Sequence, residues 1–311
     1  MTRSKNVLDN KPHPGYAFAN LPQEERLKRL ERIRILHPSF NRSLELIHEC
    51  RERSKITAEP ICGFITGDAG VGKSEVFKQY KNQNAASNGG VAGQSVVAIE
   101  LTYRVPTPLA LVEMLLQGMG APNPTYGRNL GVKFNRLVNL IKATGVEIVL
   151  LDEFQNFVDQ NSGKGKLLYD VSDCLKSLIN ATHVPFVLFG LHDTLCILRV
   201  NSQLNGRFQR RETLPVFPFK TESDRSDFRK LLTMIDQQLP FLQMSKMSDD
   251  HLSQKIYEAT GGLMRFIKFL IRDAAMLAIL KNHSAIEIED WAESFDRNTC
   301  MSDTVKGNPF D

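Results

Sequence analysis

The sequence lacks the long apolar runs that membrane segments and secretion signals require. No stretch approaches the ~20 consecutive apolar residues of a transmembrane helix. The N-terminal segment MTRSKNVLDNKPHPGY has no signal-peptide core. The five cysteines show no CxxC spacing, which argues against the common zinc and thiol-redox motifs. We therefore expect a cytoplasmic protein with no membrane partner.

The chain also lacks a strong excess of either charge. Its formal net charge is +4 and its pI is near 8.7, which permits a nucleic-acid partner without requiring one. Hydrophobic residues make up 42% of the 311 positions, enough for a substantial core. A chain of this length favours one large domain with a smaller one beside it.

Short apolar runs alternate with segments of helical length in the first two thirds of the chain. The runs are PICGFIT, SVVAIEL, VEIVLLD, VPFVLFG and, more weakly, TLPVFPF. Such runs are typical of strands buried on both faces, so the pattern predicts a parallel sheet covered by helices. We predict a flexible tail at 1–20, an α/β nucleotide-binding domain with N-terminal helices at 21–220, a helical lid domain at 221–300 and a flexible tail at 301–311.

A glycine-rich turn follows the first apolar run. The segment GDAGVGKS matches the phosphate-loop pattern G-x-x-x-x-G-K-[ST], with a strand before it and a helix after it. Glycine allows backbone N–H groups to turn inward around a phosphate, and the helix directs its positive end at the same anion. We expect Lys73 to contact the β- and γ-phosphates and Ser74 to be a ligand of Mg²⁺. The predicted ATP-binding residues are Gly67, Asp68, Ala69, Gly70, Val71, Gly72, Lys73, Ser74 and Glu75.

An acidic pair ends the third apolar run. In EIVLLDEF we predict that Asp152 holds Mg²⁺ through water and that Glu153 is the general base for the attacking water. The alternative is an acidic pair that only caps the strand. The adjacent glutamate indicates that another strand lies between the two motif strands, so the predicted order is 5-1-4-3-2.

Polar residues near the fourth and fifth strands are candidates for sensing the γ-phosphate. His192 or Asp193 would have to act as the first sensor, although a loop histidine is an equal alternative. Arg207, in GRF, is the best candidate for an arginine that reaches a neighbouring subunit's nucleotide, with Arg210 and Arg211 as alternatives. Arg265 follows two glycines at the start of a lid helix, where it could fold over the nucleotide.

Together these residues resemble the AAA+ ATPases. Within that class, HPSFNRSLELI, ITGDAGVGKS, VLLDEFQNF and FVLFGLHD…NGRFQRR resemble the TniB/TnsC family of transposition regulators. The resemblance covers roughly residues 25–300. It implies an ATP-dependent homo-oligomer, a ring or a filament, on double-stranded DNA. It also implies that the protein links a target selector of the TniQ type, in some relatives a CRISPR-guided one, to a transposase.

The insertion after the second strand carries the residues that we expect to contact DNA phosphates. They are Tyr103, Arg104, Arg128 and Lys133, and the expectation depends largely on the family resemblance. The first alternative function is a replication initiator or helicase loader, which usually has a DNA-reading domain after the lid; we expect none here. The second is a switch that binds ATP and hardly hydrolyses it.

Overall fold

The computed structural model describes residues 13–85, 95–102, 107–127, 129–157, 165–298 and 305–311. Five strands and twelve α-helices lie in these ranges; one or two α-helices separate successive strands, and only helices follow the last strand. The strands are β1 Gly63–Thr66, β2 Val96–Glu100, β3 Ile148–Asp152, β4 Phe186–Gly190 and β5 Arg210–Thr213. The helices are α1 Gln23–Glu31, α2 Pro38–Ser54, α3 Lys73–Ala85, α4 Pro108–Gly118, α5 Leu130–Thr144, α6 Gly165–Thr182, α7 Cys196–Val200, α8 Ser202–Arg207, α9 Glu222–Asp236, α10 Asp250–Thr260, α11 Met264–Leu280 and α12 Ile288–Arg297.

The sheet confirms the predicted topology. All neighbouring strands are parallel and their order is β2-β3-β4-β1-β5, which is 5-1-4-3-2 from the opposite edge. Every residue of β1, β3 and β4 is buried, as expected for strands covered by helices on both faces. The parallel arrangement brings the carboxyl ends of β1, β3 and β4 to the same end of the sheet. The glycine-rich turn and the acidic pair both lie there.

The fifth strand was predicted in the wrong place. The apolar run suggested TLPVFPF, whereas the strand is Arg210–Thr213 and lies at the sheet edge. Pro215 and Pro218 lack the N–H groups that a strand needs for its ladder. An edge strand is only partly covered, so it tolerates the polar sequence RRET. Arg210 and Arg211 therefore lie inside the strand and not before it.

The chain divides into two compact units, and the division differs from the predicted boundaries. One unit is Pro38–Pro215, and the other comprises Met1–His37 and Val216–Asp311. The first helix, α1, packs on α11 through Leu30, so it belongs to the helical unit. An amphipathic pattern predicts a helix, but it does not identify the surface that the helix covers.

Helices α9 to α12 of the second unit lie in the segment 221–300, which was predicted to be helical. Helix α9 begins with a capping box in which the Asp224 N–H donates to Thr221 Oγ1 and the Thr221 N–H donates to Asp224 Oδ2, at 3.1 and 2.8 Å. Their apolar faces meet in one core that includes Phe228, Leu270 and Trp291.

Both expected tails are partly packed. The N–H of Gly15 donates to the carbonyl of Gln237 at 2.7 Å. Phe310 is buried and stacks on Trp291 with ring centroids 5.9 Å apart. The aromatic ring buried at the end of the chain explains why this segment is ordered despite its polar composition. Residues 1–12 and 299–304 lie outside the described ranges.

Across the described residues, no helix combines the length and apolar character needed to span a bilayer.

Candidate nucleotide-binding site

The glycine-rich turn has the backbone of a phosphate loop. It connects Thr66 at the end of β1 to Lys73 at the start of α3. Gly70 and Gly72 have φ angles of +86° and +108°, values that favour glycine. A Cβ on Gly67 would lie 2.5 Å from the carbonyl oxygen of Leu214, so only glycine fits there. The turn therefore depends on its glycines, as the motif requires.

The Lys73 side chain lies over the loop. Its Nζ donates hydrogen bonds to the carbonyl oxygens of Gly67 and Asp68, both at 2.8 Å, and the side chain is buried. The ammonium group is thus held beside the loop where the N-terminus of α3 also contributes positive potential. Both the ammonium group and the helix N-terminus are therefore in place to interact with a bound phosphate.

Ser74 and Asp152 meet beside this loop. The Ser74 side chain is hydrogen-bonded to the Asp152 carboxylate, and Asp152 is only 2% exposed. Burial raises the pKa of Asp152, while the bond to Ser74 opposes that rise. A hydroxyl and a carboxylate fit Mg²⁺, which prefers oxygen ligands and completes its shell with water and nucleotide oxygens. The described residues contain no group of three His, Cys, Asp or Glu side chains that could form a separate metal centre.

Glu153 follows Asp152 in a constrained backbone conformation. Its φ is +57°, which is uncommon for a residue with a side chain. The N–H of Glu153 donates to Asp152 Oδ1 at 2.9 Å, and Nε2 of Gln155 donates to the Glu153 carboxylate. The motif DEFQNF does not by itself assign a role to Gln155, because only the side-chain geometry shows what this glutamine contacts.

The segment after β4 lies beside the phosphate loop, since Gly190 is in register with Thr66. His192 and Asp193 are both exposed in the 3-10 turn that follows. The buried polar side chain here is Thr194, whose hydroxyl donates to the carbonyl of Leu191 at 2.5 Å. The assignment of the first sensor to His192 or Asp193 therefore stays a prediction.

The three candidate trans-acting arginines lie near the amino ends of the strands, at the opposite end from the phosphate loop. The N–H of Cys62, just before β1, donates to the carbonyl of Arg207 at 2.9 Å, and Arg210 is in register with Gly63. The strands run from this end toward the phosphate loop, so these arginines are not close to the loop of their own chain. That position is compatible with action on a neighbouring subunit.

Each of these arginines has a partner within the chain. Arg207 pairs with Glu59 at 3.5 Å, and Arg210 pairs with Glu49 at 2.8 Å. Arg211 donates to the side chain of Asn205. The side chain of Arg207 is 16% exposed and that of Arg210 is 37% exposed, while Arg211 is an exposed residue. Its use in trans would require release from Glu59.

The structure corrects the DNA assignment of Lys133. Its side chain is 4% exposed and forms an ion pair with Glu113, so it is not available to a DNA phosphate. Helical position alone could not reveal this pairing between α4 and α5. The remaining candidates, Tyr103, Arg104 and Arg128, lie outside the described residues.

Arg265 belongs to the helical unit. It lies in the first turn of α11 and is exposed, after Gly261 and Gly262 with φ angles of +57° and +72°. A Cβ on Gly262 would lie 2.1 Å from the carbonyl oxygen of Phe217, so this turn also requires glycine. The role of Arg265 toward a nucleotide stays a prediction.

A family model named "Bacterial TniB protein" matches residues 26–218. The chain belongs to the TniB family. No curated protein matches the sequence significantly. Solved structures with a similar fold include the ORC2 protein of Aeropyrum pernix in ADPNP–ADP complexes, with a TM-score of 0.58, 16% identity and 83% of this chain covered.

Two further structures have the same fold at comparable similarity. They are the Aeropyrum pernix ORC1 protein in complex with DNA (TM-score 0.52, 17% identity, 83% of this chain) and Cdc6p of Pyrobaculum aerophilum (TM-score 0.54, 15% identity, 88% of this chain). The TniB-family chain spans 64% to 67% of the length of these three structures. At these identities the likeness establishes the AAA+ fold. Family and fold together identify the phosphate loop as that of an AAA+ nucleotide-binding protein.

Proposed function

We propose that this TniB-family protein is an ATP-dependent regulator of DNA transposition. In this proposal it oligomerises on double-stranded DNA and links a target selector of the TniQ type to the transposase. The observation that carries the proposal is the family match over residues 26–218, which contain the whole phosphate loop and the acidic pair. Lys73, Ser74 and Asp152 support the nucleotide-dependent part of it.

The chemistry proposed at the site is slow hydrolysis of Mg·ATP. The phosphate loop and Lys73 bind the phosphates, and Ser74 and Asp152 would hold Mg²⁺. The metal would neutralise charge that develops on the transferred phosphoryl group. Glu153 accepts a proton from the attacking water. Arg207 of an adjacent subunit stabilises the same charge, which makes hydrolysis depend on assembly.

The proposal includes oligomerisation through the same residues. An arginine at the amino ends of the strands of one subunit and the phosphate loop at the carboxyl ends of the strands of the next would form a head-to-tail interface. Such an interface closes into a ring or continues as a filament. DNA binding is then the sum of weak phosphate contacts from many subunits, and Arg104 and Arg128 are the candidates in each copy.

Electron microscopy with ATP and a duplex of arbitrary sequence tests this proposal. Rings or filaments threaded by DNA in ATP, and absent in ADP, are the expected result. The second candidate function, a replication initiator, is favoured by the fold shared with ORC and Cdc6 proteins. Monomers bound to one preferred sequence without ATP would support the initiator and contradict the transposition regulator. ATP-dependent assembly without phosphate release would support the third candidate, a switch that does not hydrolyse ATP.

A further inference from the structure

A glutamine beside the proposed general base is held on a rigid turn. Gln155 lies in the 3-10 turn Phe154–Phe157, whose two phenylalanine rings are buried and stacked with centroids 6.0 Å apart. The next residue, Asn156, donates from Nδ2 to the carbonyl of Leu101 at 2.6 Å. The backbone is therefore fixed on both sides of Gln155. From this turn Nε2 of Gln155 donates a hydrogen bond to Oε2 of Glu153.

Stability alone does not explain a glutamine at this position. Its Oε1 atom is buried, and no described residue donates a hydrogen bond to it. A buried acceptor without a donor lowers stability, whereas an apolar side chain of similar length would avoid that loss. The amide is thus retained at a cost, and the contact it makes is with Glu153.

Glu153 is constrained at both ends. Its backbone has a φ of +57° and its N–H donates to Asp152, so the direction of the side chain is set at Cα. The bond from Gln155 fixes Oε2 at the other end. The second carboxylate oxygen, Oε1, can then accept a proton from water. A general base must be held in this way to be effective in proton transfer.

We propose that Gln155 is a positioning residue for ATP hydrolysis. It orients the Glu153 carboxylate by holding one oxygen, so that the other oxygen faces the attacking water. Gln155 acts through Glu153 and contributes nothing to nucleotide binding, which the phosphate loop and Lys73 provide. The inference rests on the proposed hydrolytic function and adds one residue to it.

The test is a double-mutant cycle on the full chain with Mg·ATP and duplex DNA. Gln155→Met keeps the length of the side chain and removes the donor. We expect kcat for phosphate release to fall about 10-fold, the scale of losing an outer-shell partner. The dissociation constant of a fluorescent ATP analogue should change less than about twofold, because the phosphate-loop contacts are untouched. In a Glu153→Gln background, Gln155→Met should have no further effect on the rate.

A matched control removes a similar pair elsewhere. Gln254 donates to Glu258 at 2.8 Å on the exposed face of α10, and Gln254→Met should leave both rate and binding unchanged. Equal fold-losses from Gln155→Met in the wild-type and Glu153→Gln backgrounds would overturn the inference. So would a loss of nucleotide affinity with kcat unchanged.

A second variant covers the case in which Gln155→Met does not fold. Gln155→Glu keeps the shape and can donate to Glu153 only when protonated. Its rate relative to wild type should therefore rise as the pH falls, and a ratio independent of pH would contradict the positioning role. Failure of the proposed function is seen separately. If wild type and Glu153→Gln release phosphate at the same rate, Glu153 is not the base and Gln155 has nothing to position.

Discussion

Ser74 and Asp152 are hydrogen-bonded to each other at the carboxyl edge of the sheet, although one begins a helix and the other ends a strand. Asp152 is buried, and its carboxylate is desolvated before any nucleotide is present. Burial therefore raises the pKa of Asp152. A group kept at such a cost, beside a phosphate loop, is typical of a site prepared for a cation.

Asp152→Asn should stabilise the nucleotide-free chain at neutral pH. Because the pKa of Asp152 is raised in the folded state, the folded chain binds this proton more tightly than the unfolded chain. Stability from this group is complete below the unfolded pKa of ~3.9 and is lost as the pH rises through the folded pKa. Melting curves from about pH 4 to pH 8 should show the variant gaining on wild type as the pH rises.

The same substitution should weaken Mg²⁺-dependent ATP binding, since an amide is a poorer ligand for Mg²⁺ than a carboxylate. Adding Mg·ATP should then raise the melting temperature of wild type by more than that of Asp152→Asn. Equal shifts in both proteins would show that Asp152 is not part of the metal site.

Lys73→Ala should abolish ATP binding, with an affinity loss of ~100-fold or more expected from removal of a charge-assisted phosphate contact. Titration with a fluorescent ATP analogue measures this loss. Lys78→Ala is the matched control, because Lys78 lies on the same helix with an exposed side chain. Unchanged nucleotide affinity in folded Lys73→Ala protein would refute the assignment of the loop.

The phosphate loop and the buried strands could be predicted from the sequence because their patterns are local. A phosphate loop needs glycines and a lysine at fixed spacing, and a doubly covered strand needs an uninterrupted apolar run. Gly70 and Gly72 accordingly have the positive φ angles that the pattern indicated, and the contact of Lys73 with phosphates stays a prediction. The order of strands followed from the acidic pair at the end of β3.

What the sequence did not predict depends on contacts between distant segments. Lys133 lies in the insertion that was expected to contact DNA, but Glu113 on another helix forms an ion pair with it. The polar sequence of β5 is possible only at a sheet edge, which no local pattern identifies. Gln155 lacked an assignment because its significance lies in the side chain that it contacts.

Arg207→Ala should reduce ATP hydrolysis and ATP-dependent assembly together, since an arginine used in trans belongs to both the site and the interface. Mixing it with Lys73→Ala subunits should restore part of the phosphate release, because some interfaces then pair an intact Arg207 with an intact Lys73. Glu59→Gln is the control: it removes the intramolecular partner of Arg207 and should not lower the rate.

Recovery is expected to be greatest near equal mixing, where the number of complementary interfaces is largest. The absence of recovery at every ratio, with both variants folded, would contradict action of Arg207 in trans. The same mixing experiment with Arg210→Ala and Arg211→Ala would then decide between the two alternatives, which pair with Glu49 and Asn205 in the free chain.

Substitutions of Lys133 and Arg104 should have different effects, the first on stability and the second on DNA binding. Lys133→Met leaves Glu113 without its ion-pair partner, and Lys133 is only 4% exposed, so we expect a loss of ~1–3 kcal/mol in the free energy of unfolding. DNA affinity per folded molecule should be unchanged, because a buried lysine does not contact phosphates. Arg104→Ala should do the reverse: DNA binding weakens and its salt dependence becomes shallower by about one counterion for each arginine lost from a bound subunit.

The measurements are urea unfolding and the fluorescence anisotropy of a labelled duplex over a salt series, with ATP, with ADP and without nucleotide. Binding should require ATP, because one subunit offers few phosphate contacts and the affinity comes from an array built by nucleotide. It should also be indifferent to sequence, because phosphates carry no sequence information. Tight binding without nucleotide, or a strong preference for one sequence, would contradict the array model and support the replication initiator.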